Sequence, residues 1–278
     1  MKLKVKNALL RAVPACALFF LPIAAHAGNL TVCSSSPPTG SVGTDSTHTN
    51  NANFYTFYLQ GNGSCSQGQL QATAPSGATQ PNGHFTTNWN LPANTDFVAG
   101  MGWATGSKTA GISYSAGTFV PGSNAYLSLY GWSANGYSSL HVDSKNNGIR
   151  QHTEYYVLQQ YGPYNPGGLN GSSADPALKS FGQATGKIDS ANGTYKIFAA
   201  ERTGPTVYSG SGETFLQVWL IRTSQAPAND TIYTSAVFSA LAAAGIQIDP
   251  GSNATSNYQV IASEGYASTG NADVTVWH

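Results

Sequence analysis

The sequence predicts an all-β fold, a sandwich of two antiparallel sheets with one α-helix packed on its back. Three observations carry this expectation. From Phe54 onward the chain runs in short alternating segments separated by Gly, Asn and Pro, the pattern of half-buried strands joined by turns. A single segment has helical spacing. The composition also lacks the Glu and Lys that long charged helices need: among 278 residues there are 12 Lys plus Arg and 12 Asp plus Glu, 9% charged in all.

Charge scarcity excludes function classes as well. Zero net charge supplies no basic surface, so no nucleic-acid partner is expected. A hydrophobic content of 41% is enough to bury a core, which argues against disorder. A neutral surface rich in Ser, Thr, Asn, Gly and Tyr suits neutral ligands, sugars above all.

Residues 1–27 read as a secretory signal. Lys2, Lys4, Lys6 and Arg11 form a positive n-region, an apolar run from Ala12 to Ala24 follows, and Ala25-His26-Ala27 is a cleavage pattern. The run is shorter than the roughly 18 residues a span needs, and no other stretch would cross a bilayer. The mature protein is therefore expected outside the cell, beginning near Gly28, with no membrane partner. Cleavage removes four basic residues and no acidic ones, leaving 8 against 12, a net charge of −4.

Residues 28–53 read as an extended arm of Ser, Thr, Asn, Pro and Gly, and 54–278 as one domain. Cys33 and Cys65 survive cleavage as an even pair in an exported chain, which points to a disulfide between the arm and the first sheet segment. No His or second Cys pair stands at ligand spacing, so no metal is expected.

The strands can be sorted by face, because side chains alternate with period two. Leu127 and Leu129 share one face, while Tyr126, Ser128 and Tyr130 share the other. Glu154 lies with Tyr156, Gln217 with Trp219, and Glu264 with Tyr258, Val260, Ala262 and Tyr266. The stretch 133–153 is polar and irregular, a long loop or an extended hairpin. In the helix, Thr234 or Ser235 is the expected cap, Val237, Leu241 and Ala244 form one face, and Gly245 ends it.

Four Glu serve the mature chain: Glu154, Glu201, Glu213 and Glu264. Glu201 and Glu213 lie near turns and read as solvated. The Asp residues, Asp189 and Asp249 among them, sit beside turn formers and read as loop residues. Glu154 and Glu264 sit mid-strand among aromatic and apolar neighbours, where a carboxylate is costly unless paired or functional. Two such carboxylates on facing strands lined by Tyr and Trp suggest glycoside hydrolysis, one carboxyl protonated and the other ionised. No GxSxG, HExxH, phosphate-binding loop or dinucleotide fingerprint occurs.

Several blocks in order resemble the family-11 glycoside hydrolases, small retaining endo-β-1,4-xylanases with a β-jelly-roll fold. These are Phe97-Val-Ala-Gly-Met-Gly-Trp103, Tyr126-Leu-Ser-Leu-Tyr130-Gly-Trp132, Glu154-Tyr-Tyr156-Val, Arg202-Thr-Gly-Pro205-Thr-Val207, Gln217-Val-Trp219 and Tyr258-Gln-Val-Ile-Ala-Ser-Glu264-Gly-Tyr266. The resemblance spans roughly Phe54 to Trp277 and makes 54–278 a catalytic domain. It implies Glu154 as nucleophile and Glu264 as general acid/base. It also implies Tyr130 and Tyr156 beside the nucleophile, Arg202 and Gln217 as polar groups around it, and Pro205 at the tip of a closing thumb. Tyr258 matches a sugar-stacking tyrosine, Asn124 and Tyr126 match leaving-group-side positions, and Tyr58 stands where the family has a Trp platform. The family places Asn or Asp beside the acid/base; Asn90, Asn94 and Asp96 are all candidates here. The 133–153 segment is an insertion relative to the family. Xylan or xylo-oligosaccharide is the implied partner, with a monomeric protein and no cofactor. Two alternatives share these features: an endo-β-1,4-glucanase on a related jelly roll, and a non-catalytic carbohydrate-binding protein.

Overall fold

The computed structural model describes residues 29–33, 43–44, 54–60, 64–73, 83–138, 151–209, 212–251 and 257–278. The expected signal, 1–27, and much of the expected arm lie outside these residues. In chain order the strands are β1 (Asn29–Val32), β2 (Gly43–Thr44), β3 (Phe54–Leu59), β4 (Gly68–Thr73), β5 (Gly83–Asn90), β6 (Asp96–Trp103), β7 (Gly111–Val120), β8 (Ala125–Ser138) and β9 (Gln151–Tyr161). They continue with β10 (Lys179–Gln183), β11 (Tyr195–Gly204), β12 (Glu213–Arg222), β13 (Asn229–Tyr233), β14 (Ile246–Ile248), β15 (Gln259–Tyr266) and β16 (Thr269–Trp277). Among the described residues one α-helix, α1 (Thr234–Ala243), joins β13 to β14.

The strands form a β-jelly-roll sandwich. The smaller sheet has the order β1-β4-β5-β16-β7-β13. The larger runs β10-β11-β12-β9-β8-β15-β6-β3-β2, and β14 pairs the far end of β8. One pairing departs from the expected antiparallel pattern: β9 and β12 run parallel. The segment between them, through β10 and β11, is long enough to provide the crossover that a parallel pair requires.

Alternation gives the larger sheet two apolar faces. Phe97, Ala99, Met101, Leu127, Leu129, Tyr155 and Val157 join Leu70, Phe85, Ile112 and Val274 of the smaller sheet in the core between the layers. Each such Leu, Ile or Val contributes roughly 1.5–3 kcal/mol when buried, so this cluster holds the sandwich together. The other face carries Val98, Tyr126, Tyr130, Trp132, Tyr156, Trp219 and Tyr258 in a second, aromatic cluster. Gly131 lets the strands close up beneath that cluster: a Cβ there would lie 2.3 Å from the Tyr258 carbonyl oxygen and from the Tyr155 hydroxyl.

At the two ends of the 133–153 segment β8 reaches Ser138 and β9 begins at Gln151; residues 139–150 are not among the described residues. The β8–β9 register shifts between Ser133 and Gly136, opposite His152, and is regular again from Thr153 to Leu158. Glu154 stands opposite Trp132 on β8 and opposite Gln217 on β12. Cys33 and Cys65 form the expected disulfide, joining the end of β1 to the turn before β4. Asn29–Val32, within the expected arm, pairs as a strand with β4.

Helix α1 buries Val237, Phe238, Ala240 and Leu241, and Phe238 meets Tyr155 edge-on at 5.5 Å. Its capping differs from expectation. Tyr233 occupies the N-cap without a side-chain bond. Thr234 instead donates from Oγ1 to the Ala110 carbonyl at 2.8 Å, so its hydroxyl ties the first turn to the segment before β7. Gly245 follows the helix at φ +80°, the left-handed turn expected of it.

Three acidic readings are also corrected. Glu213 is only partly solvated; it hydrogen bonds His152 Nδ1 at 2.7 Å and accepts from the Thr206 hydroxyl. Asp189 is fully buried, accepting from Arg222 Nε at 2.9 Å, from the Tyr195 hydroxyl at 2.5 Å and from the Gly193 N–H at 2.7 Å. Glu201 lies on β11 opposite Leu216 rather than near a turn, and is exposed.

Candidate active site

The aromatic face of the larger sheet forms a cleft of about 500 Å³ lined by Glu154, Glu264 and 17 other residues. Of the candidates, Tyr58, Tyr130, Tyr156, Arg202, Pro205, Gln217 and Tyr258 line it with the two Glu. Asn124 and Tyr126 do not. They bond to each other, Tyr126 hydroxyl to Asn124 Oδ1 at 2.9 Å, next to Glu264, which stands opposite Tyr126. The cleft therefore has a direction: Glu154 lies toward the Trp132 and Tyr258 end, and Glu264 toward the Tyr126 end.

Glu154 is almost fully buried and well supplied with donors. The Tyr130 hydroxyl donates to its Oε1 at 2.9 Å and the Gln217 amide to its Oε2 at 2.7 Å. Gln217 is set opposite Glu154 by the parallel β9–β12 register and is held by Arg202 Nε, 3.0 Å from its Oε1. Tyr130 is itself fixed by Trp132 Nε1 at 2.6 Å. Burial raises the Glu154 pKa, while Gln217, Tyr130, Tyr156 and the Arg202 charge pull it back.

Glu264 has fewer supports. Its Oε2 is buried without a hydrogen-bond partner. Burial, then the charges of Asp96 and Glu154, push its carboxyl well above the usual range, and only Tyr156 opposes them. Tyr156, which lines the cleft with both, favours the ionised form of each carboxyl. It is kept in place by Trp219, whose ring stacks on it at 3.8 Å and 8°. Burial raises Tyr130 and Tyr156 well above the ordinary phenol value, so both stay neutral donors.

Among the three candidates for the acid/base neighbour, Asp96 alone lines the cleft. Burial and the Glu154 charge push it up to about 7, against a hydrogen bond from the Phe97 N–H. Asn90 is on the smaller sheet and accepts from Thr269. Asn94 takes the turn before β6 at φ +60° and accepts from the Tyr266 hydroxyl.

The Gly204–Val207 segment, which the sequence resemblance suggests as a thumb, lines the cleft. Thr206 Oγ1 accepts from the N–H groups of Tyr208 and Ser209 at 3.2 and 3.0 Å and braces the turn. Tyr208 anchors it to the body: its ring stacks on His152 at 4.0 Å and its hydroxyl donates to Asn257 at 2.6 Å. Sequence reasoning missed Tyr208, and likewise Trp132 and Trp219 as supports of the two tyrosines. Their alternation with Tyr130 and Gln217 was the available signal for the two Trp; Tyr208 offered none. Among the described residues, no group of three or more His, Cys, Asp or Glu converges to hold a metal ion, and no helix is long and apolar enough to cross a membrane.

The comparisons with known proteins agree with this geometry. Residues 50–275 match the model of glycosyl hydrolases family 11. Endo-1,4-beta-xylanase B of Phanerodontia chrysosporium is 35% identical over 97% of this chain and 75% of its own length. Endo-1,4-beta-xylanase 11A of Botryotinia fuckeliana is 34% identical over 83% of this chain and 81% of its own. A solved structure from a comparison of two major endo-1,4-beta-xylanases of Trichoderma reesei superimposes with a TM-score of 0.53. It is 26% identical, covering 79% of this chain and 95% of that one. With its jelly roll, its cleft and these relatives, the chain belongs to glycosyl hydrolase family 11.

Proposed function

We propose that this protein is a secreted endo-1,4-β-xylanase that cleaves internal xylosidic bonds with retention, Glu154 acting as nucleophile and Glu264 as acid and base. One observation carries the reading: two carboxyls share an aromatic cleft but not their donors. Glu154, with Tyr130 and Gln217 donating and Arg202 nearby, is the easier to ionise. Glu264, with one oxygen unpartnered, is the one that keeps its proton. Both carboxyls line the one cleft, and a retaining mechanism requires them about 5–5.5 Å apart.

In the first step a Glu154 oxygen attacks the anomeric carbon while Glu264 gives its proton to the leaving glycosidic oxygen. A covalent glycosyl-enzyme forms and the leaving chain departs on the Tyr126 side. Esterified Glu154 no longer carries charge. One of the causes that raised Glu264 is then gone, so Glu264 becomes a better base. It takes a proton from water, the water oxygen attacks the anomeric carbon, and Glu154 is released as carboxylate. Tyr and Trp walls with few charges suit a neutral polysaccharide, and the named relatives are xylanases.

Proton NMR of xylan digestion tests this: the β-anomer appears first, and an α-anomer formed first would refute retention. Carboxymethylcellulose is the control, since hydrolysis of it without hydrolysis of xylan would identify a glucanase. Glu264→Gln is expected to lose about 10²–10⁴-fold in rate, and Glu154→Gln to abolish turnover. Binding of xylan by wild type without any sugar release would mark a carbohydrate-binding protein instead.

A further inference from the structure

Asp175 lies in the connection between β9 and β10, 27 residues before Arg202. Its carboxylate Oδ2 accepts from the Arg202 guanidinium. It is itself fixed: Oδ1 accepts from the Ala177 N–H at 2.9 Å, its carbonyl accepts from the Leu178 N–H at 3.1 Å, and its own N–H donates to the Pro166 carbonyl at 2.8 Å. From Arg202 the path continues through Gln217 to Glu154. We infer that Asp175 is a positioning residue of the cleavage reaction, fixing through Arg202 which way the Gln217 amide faces Glu154 and offsetting the positive charge near that carboxylate. The inference rests on the retaining mechanism proposed above.

Donor and acceptor chemistry sets the direction of this chain. An arginine Nε–H can only donate, so it selects Gln217 Oε1. The amide nitrogen is left to face Glu154 Oε2. With Arg202 unanchored, the amide is free to turn and present its oxygen to the carboxylate, a repulsive contact at the nucleophile. The Arg202–Asp175 pair is only about a quarter exposed, which limits screening.

The charge effect is separable from the geometric one. Facing Glu154 are the phenols Tyr58, Tyr130, Tyr156 and Tyr258, the amide of Gln217, the acids Asp96 and Glu264, and the cation Arg202. Asp175 faces Arg202, Tyr164 and Tyr126. Arg202 favours ionised Glu154. Neutralising Asp175 leaves that cation unopposed and favours the carboxylate further.

The test is the pH profile of kcat/KM on an aryl xylobioside for wild type and for Asp175→Asn, Asp175→Glu and Asp175→Ala, with Tm measured on each. Asp175→Asn keeps the shape and loses the charge. Its acidic limb is expected to move down by about 0.5–1 pH unit, while Asp175→Glu returns the limb to the wild-type position. Asp175→Ala is expected to lose about tenfold in kcat with KM little changed, as an interaction needed in the transition state loosens. An unmoved limb in the Asn variant, or wild-type kcat in the Ala variant, in an active and folded enzyme overturns the role of Asp175. A wild type that hydrolyses no xyloside would instead overturn the underlying reaction.

Discussion

Replacing Asp96 by Asn should change how stability depends on pH. Asp96 is raised from 3.8 to about 7 by burial and by the Glu154 charge. Between those values the folded protein holds a proton that the unfolded chain has released. Stability is therefore full below about pH 4 and falls as pH rises, with the loss complete above about pH 7. Three units correspond to about 4 kcal/mol. Glu264, raised mainly by its own burial, keeps part of this pH dependence in the variant, so the difference due to Asp96 lies at about 1–4 kcal/mol. Asn preserves an oxygen for the Phe97 N–H, which Asp96 Oδ1 accepts at 2.9 Å. Urea unfolding followed by Trp fluorescence at pH 4, 6 and 8 measures the effect. The Asn variant should gain on wild type as pH rises. A difference independent of pH would refute the placement of Asp96 as a half-buried carboxyl among other acids.

Three further perturbations test other parts of the structure. Reducing or replacing the Cys33–Cys65 disulfide, which closes a separation of 32 residues, should cost about 3–4 kcal/mol by the loop-entropy relation; an unchanged urea midpoint would contradict it. Arg222→Ala strips the buried Asp189 of its cation and should cost about 3–5 kcal/mol, with urea unfolding again the measurement and a loss below 1 kcal/mol the contrary result. Tyr208→Ala removes the stack on His152 and the bond to Asn257, interactions worth about 1–3 kcal/mol together. The freed thumb should raise KM several-fold with kcat nearly constant, and steady-state kinetics showing equal KM would exclude an anchoring role.

The faces of strands were legible in the sequence because period two is a local property. Leu127 and Leu129 went to the core and Tyr126 and Tyr130 to the other face without any tertiary information. Alternation does not tell which strands are neighbours, so the parallel pairing of Gln217 with Glu154 had to await the structure. Contacts made by residues in loops and at strand ends were the least readable. Asp175, Glu213 and Asp189 sit in sequence surroundings typical of turns, yet their partners Arg202, His152 and Arg222 lie 27, 61 and 33 residues away. The choice among Asn90, Asn94 and Asp96 depended on where the turn ends and β6 begins. Once Asn94 occupies the positive-φ turn position, Asp96 starts the strand and reaches the cleft. Thr234 and Ser235 have the chemistry of helix caps, but Ala110 offers the Thr234 hydroxyl a tertiary acceptor.

The account stands on Glu154 as the group that forms a bond to the sugar. Incubation with a 2-deoxy-2-fluoro-β-xylobioside bearing a good leaving group should slow breakdown of the glycosyl-enzyme enough to trap it. Mass spectrometry of the digested protein is predicted to find one fluoroxylobiosyl adduct, on the peptide containing Glu154. An adduct on Glu264, or no adduct from an enzyme that hydrolyses xylan, would contradict the assignment.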